Sequence, residues 1–229
     1  MKILLTGPTG HIGSNVLQAA LLHPAITSII AFSRRQLPTP FPDPQNKLQL
    51  IIQSDFTHYS DDVLDVCAGA EACIWGMGVA NMETRRSIIV DSAIAAARAF
   101  VDAKIAGEGN KFRFVHLSGT FVEKDQKKSL WFMNEGRKIR GETEVELMKM
   151  EKEHPEALVA YIARPGVVTA TNSFFPALLE PLARFINVDD LAAKMLDTAI
   201  NGHHSQTLEV DMLRDEGKRL RRQSRVDNQ

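Results

Sequence analysis

Short apolar runs alternate with longer amphipathic stretches along most of the chain. Near-continuous apolar runs of five or six residues occur at six places: 2–6, 28–32, 48–52, 71–75, 112–117 and 158–163. Runs of this kind are typical of strands buried on both faces, as in a parallel sheet. The pattern therefore predicts that these six segments are strands of one parallel sheet.

Apolar residues at helical spacing occupy the stretches between several of these runs. Three such stripes lie at 12–21, 90–105 and 191–200. Their ends are marked by Pro24, by the glycines near 107 and by Gly202, as expected of helix stop signals. Alternating strands and helices imply right-handed crossovers. The fold class is therefore α/β, a doubly wound parallel sheet (Rossmann fold) with helices on both faces and a small C-terminal substrate-side region.

Three segments depart from this alternation. Residues 37–46 contain four prolines and are expected to form an exposed loop. Residues 122–141 are charged and irregular, and lie where an active-site loop would occur. Residues 214–229 carry six basic and three acidic side chains, which favours a solvated, frayed tail over a contact with an acidic partner or nucleic acid. We expect a single domain, 1–213, followed by this basic tail.

Composition and charge narrow the class of protein. The chain has 229 residues, 44% of them apolar, so disorder is excluded. Its 27 basic and 28 acidic side chains leave a net charge of −1, which argues against a dedicated nucleic-acid binder. Cys67 and Cys73 cannot form a disulfide framework and have no metal-ligand spacing. Without a signal-peptide or membrane-span pattern, we expect a cytoplasmic protein.

The strongest motif is T-G-P-T-G-H-I-G at 6–13, between the first strand and the first helix. Gly7 permits a tight turn, Gly10 lets a pyrophosphate approach the backbone, and Gly13 allows the helix to pack on the strand. Free N–H groups at the start of the helix favour phosphate. The alternative is a plain strand–helix turn. The candidate cofactor-binding residues of this loop are Gly7, Thr9, Gly10, His11, Ile12 and Gly13.

Two arginines follow the second strand, where a protein that prefers NAD places an acidic residue. The segment is Ser33-Arg34-Arg35, with no carboxylate nearby. Guanidinium groups suit a ribose 2′-phosphate through charge-assisted hydrogen bonds. The alternative is a pair of solvated loop arginines. The sequence favours NADP over NAD.

The G-x-x-G-x-x-G spacing of the loop resembles the atypical and extended branch of the short-chain dehydrogenase/reductase superfamily. The nearest resemblance is to small NAD(P)-binding proteins described as epimerase-like or NmrA-like. It runs from the loop at 6–13 through Arg164-Pro165-Gly166 to the helix at 187–202. The resemblance implies roles for residues after the third, fourth and sixth strands. Asp55 and Phe56 are expected near the adenine, and Gly76, Met77 and Gly78 near the adenosine ribose. Pro165 and either Val167 or Val168 are expected near the nicotinamide. Asp55 has a second interpretation as a turn former.

The catalytic pattern of that superfamily is incomplete here. Its enzymes usually carry a Ser or Thr after the fifth strand and a Tyr-x-x-x-Lys pair on the next helix. Ser118 matches the first position, and Arg140 falls on the Lys position within Arg140-Gly141-Glu142-Thr143-Glu144. The resemblance implies that the Lys holds the nicotinamide ribose, which an Arg could still bond. Gly136 falls on the Tyr position, and glycine cannot transfer a proton. Candidate substitutes for the proton donor are Lys124, Lys127, Lys128, Lys138 and His116.

Two apolar features are candidates for contact with substrate. The stretch from Phe174 to Leu179 is expected either to cover the substrate or to pack on the sheet. Trp131 and Phe132 are a second candidate wall.

Three functions fit the sequence. The first is an NADP-dependent oxidoreductase acting on a small organic carbonyl or alkene, with an altered proton donor. The second is an isomerase or cyclase without net redox chemistry on the same fold. The third is an NADP-sensing regulatory or scaffold protein of NmrA type. We expect a small-molecule substrate, no nucleic acid or membrane, and a monomer or homodimer.

Overall fold

A computed structural model describes residues 1–38, 42–78, 86–131, 133–170 and 184–227. Seven parallel strands form one sheet in the order β3-β2-β1-β4-β5-β6-β9. The six predicted strands are present with bounds within one residue of those expected, and the doubly wound α/β fold is confirmed. The strands of this sheet are β1 (Lys2–Thr6), β2 (Ser28–Ser33), β3 (Leu48–Ile52), β4 (Ala70–Trp75), β5 (Phe112–Leu117), β6 (Leu158–Arg164) and β9 (Thr207–Glu209).

Helices cover both faces of the sheet, and successive strand residues point to opposite faces. Ile3 and Leu5 lie in one core with α1, α5 and α6, while Leu4 lies in the other with α2, α3 and α4. A π-helical turn, Ser87–Asp91, leads into α3. The helices are α1 (His11–Leu22), α2 (Asp61–Cys67), α3 (Ser92–Asp102), α4 (Asn134–Glu153), α5 (Val188–Asn201) and α6 (Val210–Asp227).

The strand order reverses at β1. The chain runs from β1 outward through β2 to β3 at one edge, and then returns to place β4 against the other side of β1. At such a reversal the connections leave the carboxyl ends of the two central strands in opposite directions and open a crevice between them. This is the place where ligands bind in open α/β sheets.

A second, two-stranded parallel sheet lies after β6. It pairs β7 (Val167–Thr169) with β8 (Phe185–Asn187). Gly166 packs so closely on the carbonyl of Arg184 that a Cβ atom at residue 166 would lie 1.6 Å from that oxygen. Gly166 and Arg184 are therefore in direct contact immediately before the two strands begin.

The expectation of a frayed C-terminal tail was wrong. Residues from Val210 onward form α6, which packs along α5. Leu213 is fully buried, and a Cβ atom at Gly217 would lie 2.1 Å from the carbonyl oxygen of Asp190. Arg221 forms salt bridges with Asp189 and Asp190 at the start of α5. The basic side chains are thus partly used to dock the helix.

Two loop expectations need smaller changes. The irregular stretch at 122–141 ends earlier than expected, because α4 begins at Asn134. The described residues of the proline-rich segment 37–46 form neither helix nor strand, and most are exposed, although Leu37 is buried in the core. No helix of the described residues is both long and apolar enough to cross a membrane.

Candidate functional site

A cleft with two adjoining cavities opens at the carboxyl ends of the central strands. The smaller cavity has a volume of about 430 Å³ and the larger about 680 Å³. They share Gly10 of the glycine-rich loop and the segment Gly76-Met77-Gly78 that follows β4. The cleft therefore passes across the start of α1, where the strand order reverses.

The glycine-rich loop is shaped for close approach to the start of α1. Gly7 has φ +70° and lies against the carbonyl of Gly76, which a Cβ atom would approach to 2.8 Å. A Cβ atom at Gly13 would lie 2.0 Å from the carbonyl oxygen of Gly7, so α1 packs directly on the turn. At Gly10 the nearest contact of a Cβ atom would be 3.4 Å, an ordinary distance. Gly7 and Gly13 serve the packing of the chain, whereas the missing side chain of Gly10 leaves room on the cleft side.

The start of α1 has donors to offer a ligand. Gly10, at the N-cap, provides no side-chain hydrogen bond, and the first turn holds no acidic residue. Since the first N–H groups of a helix have no intrahelical acceptor, an uncapped start favours an anion such as a pyrophosphate. The residues present fit a dinucleotide here.

The smaller cavity combines an apolar floor with two cations. Arg34 and Arg35 follow β2 and are exposed at its rim, and Phe32 and Phe56 are buried beneath. The described lining contains no carboxylate. All of its members come from the first 78 residues: Gly7, Thr9, Gly10, Phe32, Ser33, Arg34, Arg35, Phe56, Gly76, Met77 and Gly78.

Two residues expected at the cofactor lie outside both cavities. The exposed Asp55 carboxylate accepts hydrogen bonds from the hydroxyl and the backbone N–H of Thr57, at 2.6 and 2.8 Å. These bonds lower the pKa of Asp55 and match its interpretation as a turn former. Val167 is 56% exposed, and its neighbour Val168 lines the larger cavity instead. Pro165, His11 and Ile12 do line the larger cavity.

The larger cavity brings together the two candidate catalytic residues, Ser118 after β5 and Arg140 on α4. Around them are glycine backbone, apolar side chains and a second arginine, Arg137. No acidic side chain is found in the described lining. The members not shared with the smaller cavity are His11, Ile12, Gly13, Ile89, Leu117, Ser118, Gly119, Thr120, Phe121, Met133, Arg137, Arg140, Pro165, Gly166 and Val168.

Ser118 is held by a buried carboxylate that the sequence did not single out. Its hydroxyl donates a hydrogen bond of 2.7 Å to Oε1 of Glu144, whose side chain is fully buried. Arg164, at the end of β6, donates from Nε to the same oxygen at 2.9 Å and from Nη2 to Oε2, and it also pairs with Glu209. The Glu144 hydrogen bond keeps the pKa of Arg164 above its usual value. Because Ser118 donates to Glu144, its lone pairs are left to accept.

No tyrosine lines the described cleft. Gly136, at the position of the usual tyrosine, is buried on α4. Tyr59 packs against Phe32 and Phe100 in the core, and Tyr161 is buried on β6. The usual proton donor is therefore missing from the cavity as well as from the motif.

The predicted substitutes for that proton donor do not reach the cavity. None of the four candidate lysines is in its described lining; Lys124 lies 3.6 Å from Oε2 of Glu144, and Lys128 pairs with Glu123. His116 is 1% exposed, and neither ring nitrogen has a hydrogen-bond partner among the described residues. Burial lowers the pKa of His116 to about 4, so the ring is neutral near pH 7.

Of the candidate substrate walls, the structure describes Trp131 alone. Trp131 is 97% exposed and lines neither cavity. Phe132 and the stretch from Phe174 to Leu179 lie outside the described residues. Phe121, Met133 and Ile89 provide apolar lining that sequence reasoning missed, and Ile89 comes from the π-helical turn before α3. No pattern in the sequence marks Ile89. In the structure, its position in a π-helical turn does, since such turns often occur at functional sites.

The sequence matches no known family model. Over 122 residues it is 38% identical to leucinostatins biosynthesis cluster protein T of Purpureocillium lilacinum, a match that covers 52% of this chain and 42% of that protein. The match thus spans less than half of the relative's length.

Solved structures share the fold. The reductase domain of PhqB from Penicillium fellutanum superposes with a TM-score of 0.65 at 13% identity, covering 90% of this chain and 65% of that one. MoeE5 in complex with UDP-glucuronic acid and NAD superposes with a TM-score of 0.64 at 17% identity, covering 92% and 76%. At these identities the likeness shows the fold alone, and it confirms the Rossmann fold expected from the resemblance to short-chain dehydrogenases/reductases.

Proposed function

We propose that this chain binds NADP and acts as an oxidoreductase of the short-chain dehydrogenase/reductase type on a small organic carbonyl or alkene. One observation carries the proposal. The uncapped start of α1 and the Arg34-Arg35 pair border the same cavity, and its described lining has no carboxylate. A pyrophosphate and a 2′-phosphate are the anions that this arrangement suits.

The comparisons support the proposal. MoeE5 is described with NAD, and the PhqB domain is a reductase. The relative with 38% identity is named after a biosynthesis cluster, which favours a small organic substrate. Preference for NADP over NAD rests on Arg34 and Arg35 of this chain, because a dehydrogenase specific for NAD places a carboxylate there.

The chain's own residues bind and orient the reactants. When bound, a reduced nicotinamide dinucleotide supplies a hydride. The N–H groups at the start of α1 hold its pyrophosphate, and Pro165 and Val168 border the space where the nicotinamide is expected. Ser118, fixed by Glu144, presents its lone pairs to accept a hydrogen bond in the cavity. The described lining holds no tyrosine but includes His11, so we expect the proton to come from solvent or from the imidazole of His11.

The absence of a tyrosine proton donor from the described lining favours a second candidate function. A protein that binds NADP and reports its redox state to a partner needs the cleft but no proton donor. An isomerase or cyclase without net redox chemistry would need a proton-transfer group, for which the described lining of the larger cavity offers His11. The sensing function predicts tight NADPH binding without consumption of NADPH by any carbonyl or alkene.

The experiment that tests the proposal measures dinucleotide affinity by calorimetric titration. Replacing Arg34 and Arg35 with alanine is expected to weaken NADPH binding about tenfold or more, because a charge-assisted hydrogen bond to phosphate contributes roughly 1.5–3 kcal/mol. NADH binding is expected to change little. Arg98, an exposed residue of α3 that lines neither cavity, provides the control variant Arg98→Ala.

Two results would contradict the proposal. Equal weakening of NADPH and NADH would remove the 2′-phosphate assignment. Binding of NADPH without loss of its absorbance across a panel of aldehydes, ketones and activated alkenes would favour the sensing function over the reductase.

The remaining expectations belong to the same proposal. We expect a cytoplasmic monomer or homodimer whose ligands are small molecules, without nucleic acid or membrane. The net charge of −1 supports the exclusion of nucleic acid. Light scattering measures the oligomeric state, and an electrophoretic shift assay with DNA and RNA measures binding to nucleic acid.

A further inference from the structure

Arg140 occupies an unusual position in the larger cavity. It projects from α4 alongside the backbone that follows Ser118, and a Cβ atom at Gly119 would lie 3.4 Å from its Cδ and 3.5 Å from its Nε. Its side chain is half-buried, and the described residues offer its guanidinium neither a hydrogen bond nor a salt bridge.

The acidic residues that follow Arg140 on α4 bind other residues. Glu144 lies one helical turn after Arg140, the spacing at which a salt bridge would form. Its carboxylate instead binds Arg164 and Ser118. Glu142 is paired with Arg86. The carboxylates of Glu142 and Glu144, although close to Arg140 in the sequence, are thus both bound to other residues.

The two most deeply buried lysines of the described residues do have partners. Lys194, 2% exposed, pairs with Asp197 and Glu216. Lys47, 8% exposed, donates to the carbonyls of Leu21 and His23. Burial without a carboxylate lowers the pKa of Arg140. A half-buried charge without a partner is costly, and such a cost is typical of groups that await a ligand.

The dinucleotide's own charges are accounted for at the other end of the cleft. Its pyrophosphate fits the start of α1, and its 2′-phosphate fits Arg34 and Arg35 after β2. Arg140 lies instead on α4, next to the end of β5, in the cavity that also contains Ser118. The resemblance places the nicotinamide ribose near Arg140, but the ribose hydroxyls carry no charge, so an anion bound there would belong to the other reactant.

We propose that the substrate carries a carboxylate, which Arg140 binds beside Ser118. This inference rests on the proposed function, of which it specifies the substrate class: an aldehyde, ketone or activated alkene that is also an organic acid. A planar guanidinium suits a carboxylate because two parallel N–H donors match its two oxygens. The apolar side chains of Phe121, Met133 and Ile89 line the same cavity and suit the carbon skeleton of such an acid.

A matched pair of probes tests the inference by binding alone. The acid is 4-carboxybenzaldehyde and the neutral probe is 4-carbamoylbenzaldehyde, which has nearly the same shape and the same aldehyde. Each is titrated calorimetrically into the protein saturated with NADP⁺, so that no reduction takes place. The acid is expected to bind about tenfold more tightly than the amide, as a charge-assisted pair replaces a neutral one.

Variants assign the preference to one side chain. Arg140→Gln is expected to abolish the preference for the acid, and Arg140→Lys to keep part of it. Arg98→Gln, on the exposed face of α3, is expected to leave the preference unchanged. Circular dichroism confirms that each variant is folded, and Arg140→Met is a second neutral variant should Arg140→Gln fail to fold.

The outcomes separate this inference from the proposed function. Equal affinity for acid and amide, or no binding of either probe at millimolar concentration, would overturn the inference while NADPH binding stood. An acid preference that survives Arg140→Gln would also overturn it. Absence of NADPH binding, measured in a separate titration, would overturn the proposed function instead.

Discussion

The hydroxyl of Ser118 donates a hydrogen bond of 2.7 Å to Oε1 of the fully buried Glu144. This bond joins the end of β5 to the middle of α4, and Arg164 extends it to the end of β6. Three elements are thus tied together at the floor of the larger cavity. The orientation of Ser118 is determined by the protein before any ligand binds.

Glu144→Gln is expected to lower the free energy of unfolding by about 3 kcal/mol, because breaking a buried ion pair leaves a poorly compensated charge on Arg164. The loss is expected at the lower end of the usual range, since Arg164 also pairs with Glu209. Denaturant titration measures it. Glu153→Gln, in an exposed pair with Lys149, is the control and is expected to change stability little. Equal losses in both variants would show that the buried network of Glu144 contributes no more to the free energy of unfolding than an exposed ion pair does.

Gly13→Ala and Gly10→Ala are expected to separate folding from ligand binding. A Cβ atom at Gly13 would lie 2.0 Å from the carbonyl oxygen of Gly7, so the first variant destabilises the fold. A Cβ atom at Gly10 meets nothing closer than 3.4 Å, so the second variant keeps its stability but weakens dinucleotide binding. Thermal unfolding and NADPH titration give the two readouts. Unchanged NADPH affinity in Gly10→Ala would place the pyrophosphate elsewhere.

His116 is expected to make the fold sensitive to acid. Burial lowers its pKa from 6.5 to about 4, so between these values the unfolded chain binds more protons than the folded one. The free energy of unfolding therefore falls as the pH drops from about 6.5 to about 4, by up to about 3 kcal/mol from this residue. The difference in stability between wild type and His116→Leu, followed by urea titration against pH, isolates this contribution. A difference independent of pH across that window would contradict it.

Gly217→Ala is expected to destabilise the protein, although alanine has a higher helix propensity than glycine. Alanine in an exposed helix would add about 1 kcal/mol. At Gly217, however, the new Cβ atom would lie 2.1 Å from the carbonyl oxygen of Asp190, so α6 must move away from α5. Chemical denaturation compares this variant with Gln223→Ala, at an exposed position of the same helix. Greater stability in Gly217→Ala would mean that the two helices do not pack this closely.

The central strands were predictable because a parallel strand covered on both faces must be apolar at successive positions. In β1, Ile3, Leu4 and Leu5 are all fully buried. The last strand of the sheet, β9, was missed because it has three residues, of which Leu208 alone is fully buried. So short a strand produces no apolar run.

The C-terminal helix was missed for a different reason. Its buried positions, Val210, Leu213 and Gly217, do follow helical spacing. One of them is a glycine, and charged residues such as Arg214 and Arg221 lie between and after them. Hydrophobicity therefore does not reveal the stripe, and the pairing of Arg221 with Asp189 depends on tertiary structure.

In the candidate site too, features built from neighbouring residues were predictable from the sequence, and features built from distant residues were not. The glycine-rich loop is built from eight consecutive residues, so its shape follows from spacing, and its glycines lie as expected. Asp55 instead bonds to Thr57 two residues later, a local competition typical of aspartate. The bond from Ser118 to Glu144 spans 26 residues, and no spacing in the sequence announces it.

Among the described residues, the lining of the smaller cavity comes from the first 78 residues, whereas Ser118 and Arg140 of the larger cavity come from the second half of the chain. Under the proposed function, recognition of the dinucleotide's 2′-phosphate and recognition of the substrate's carboxylate therefore rest on separate stretches of the gene. A mutation or recombination event beyond residue 86 can exchange the compound that is transformed and leave the choice of dinucleotide intact. Hybrids joined between these stretches would inherit the two specificities independently, one from each parent.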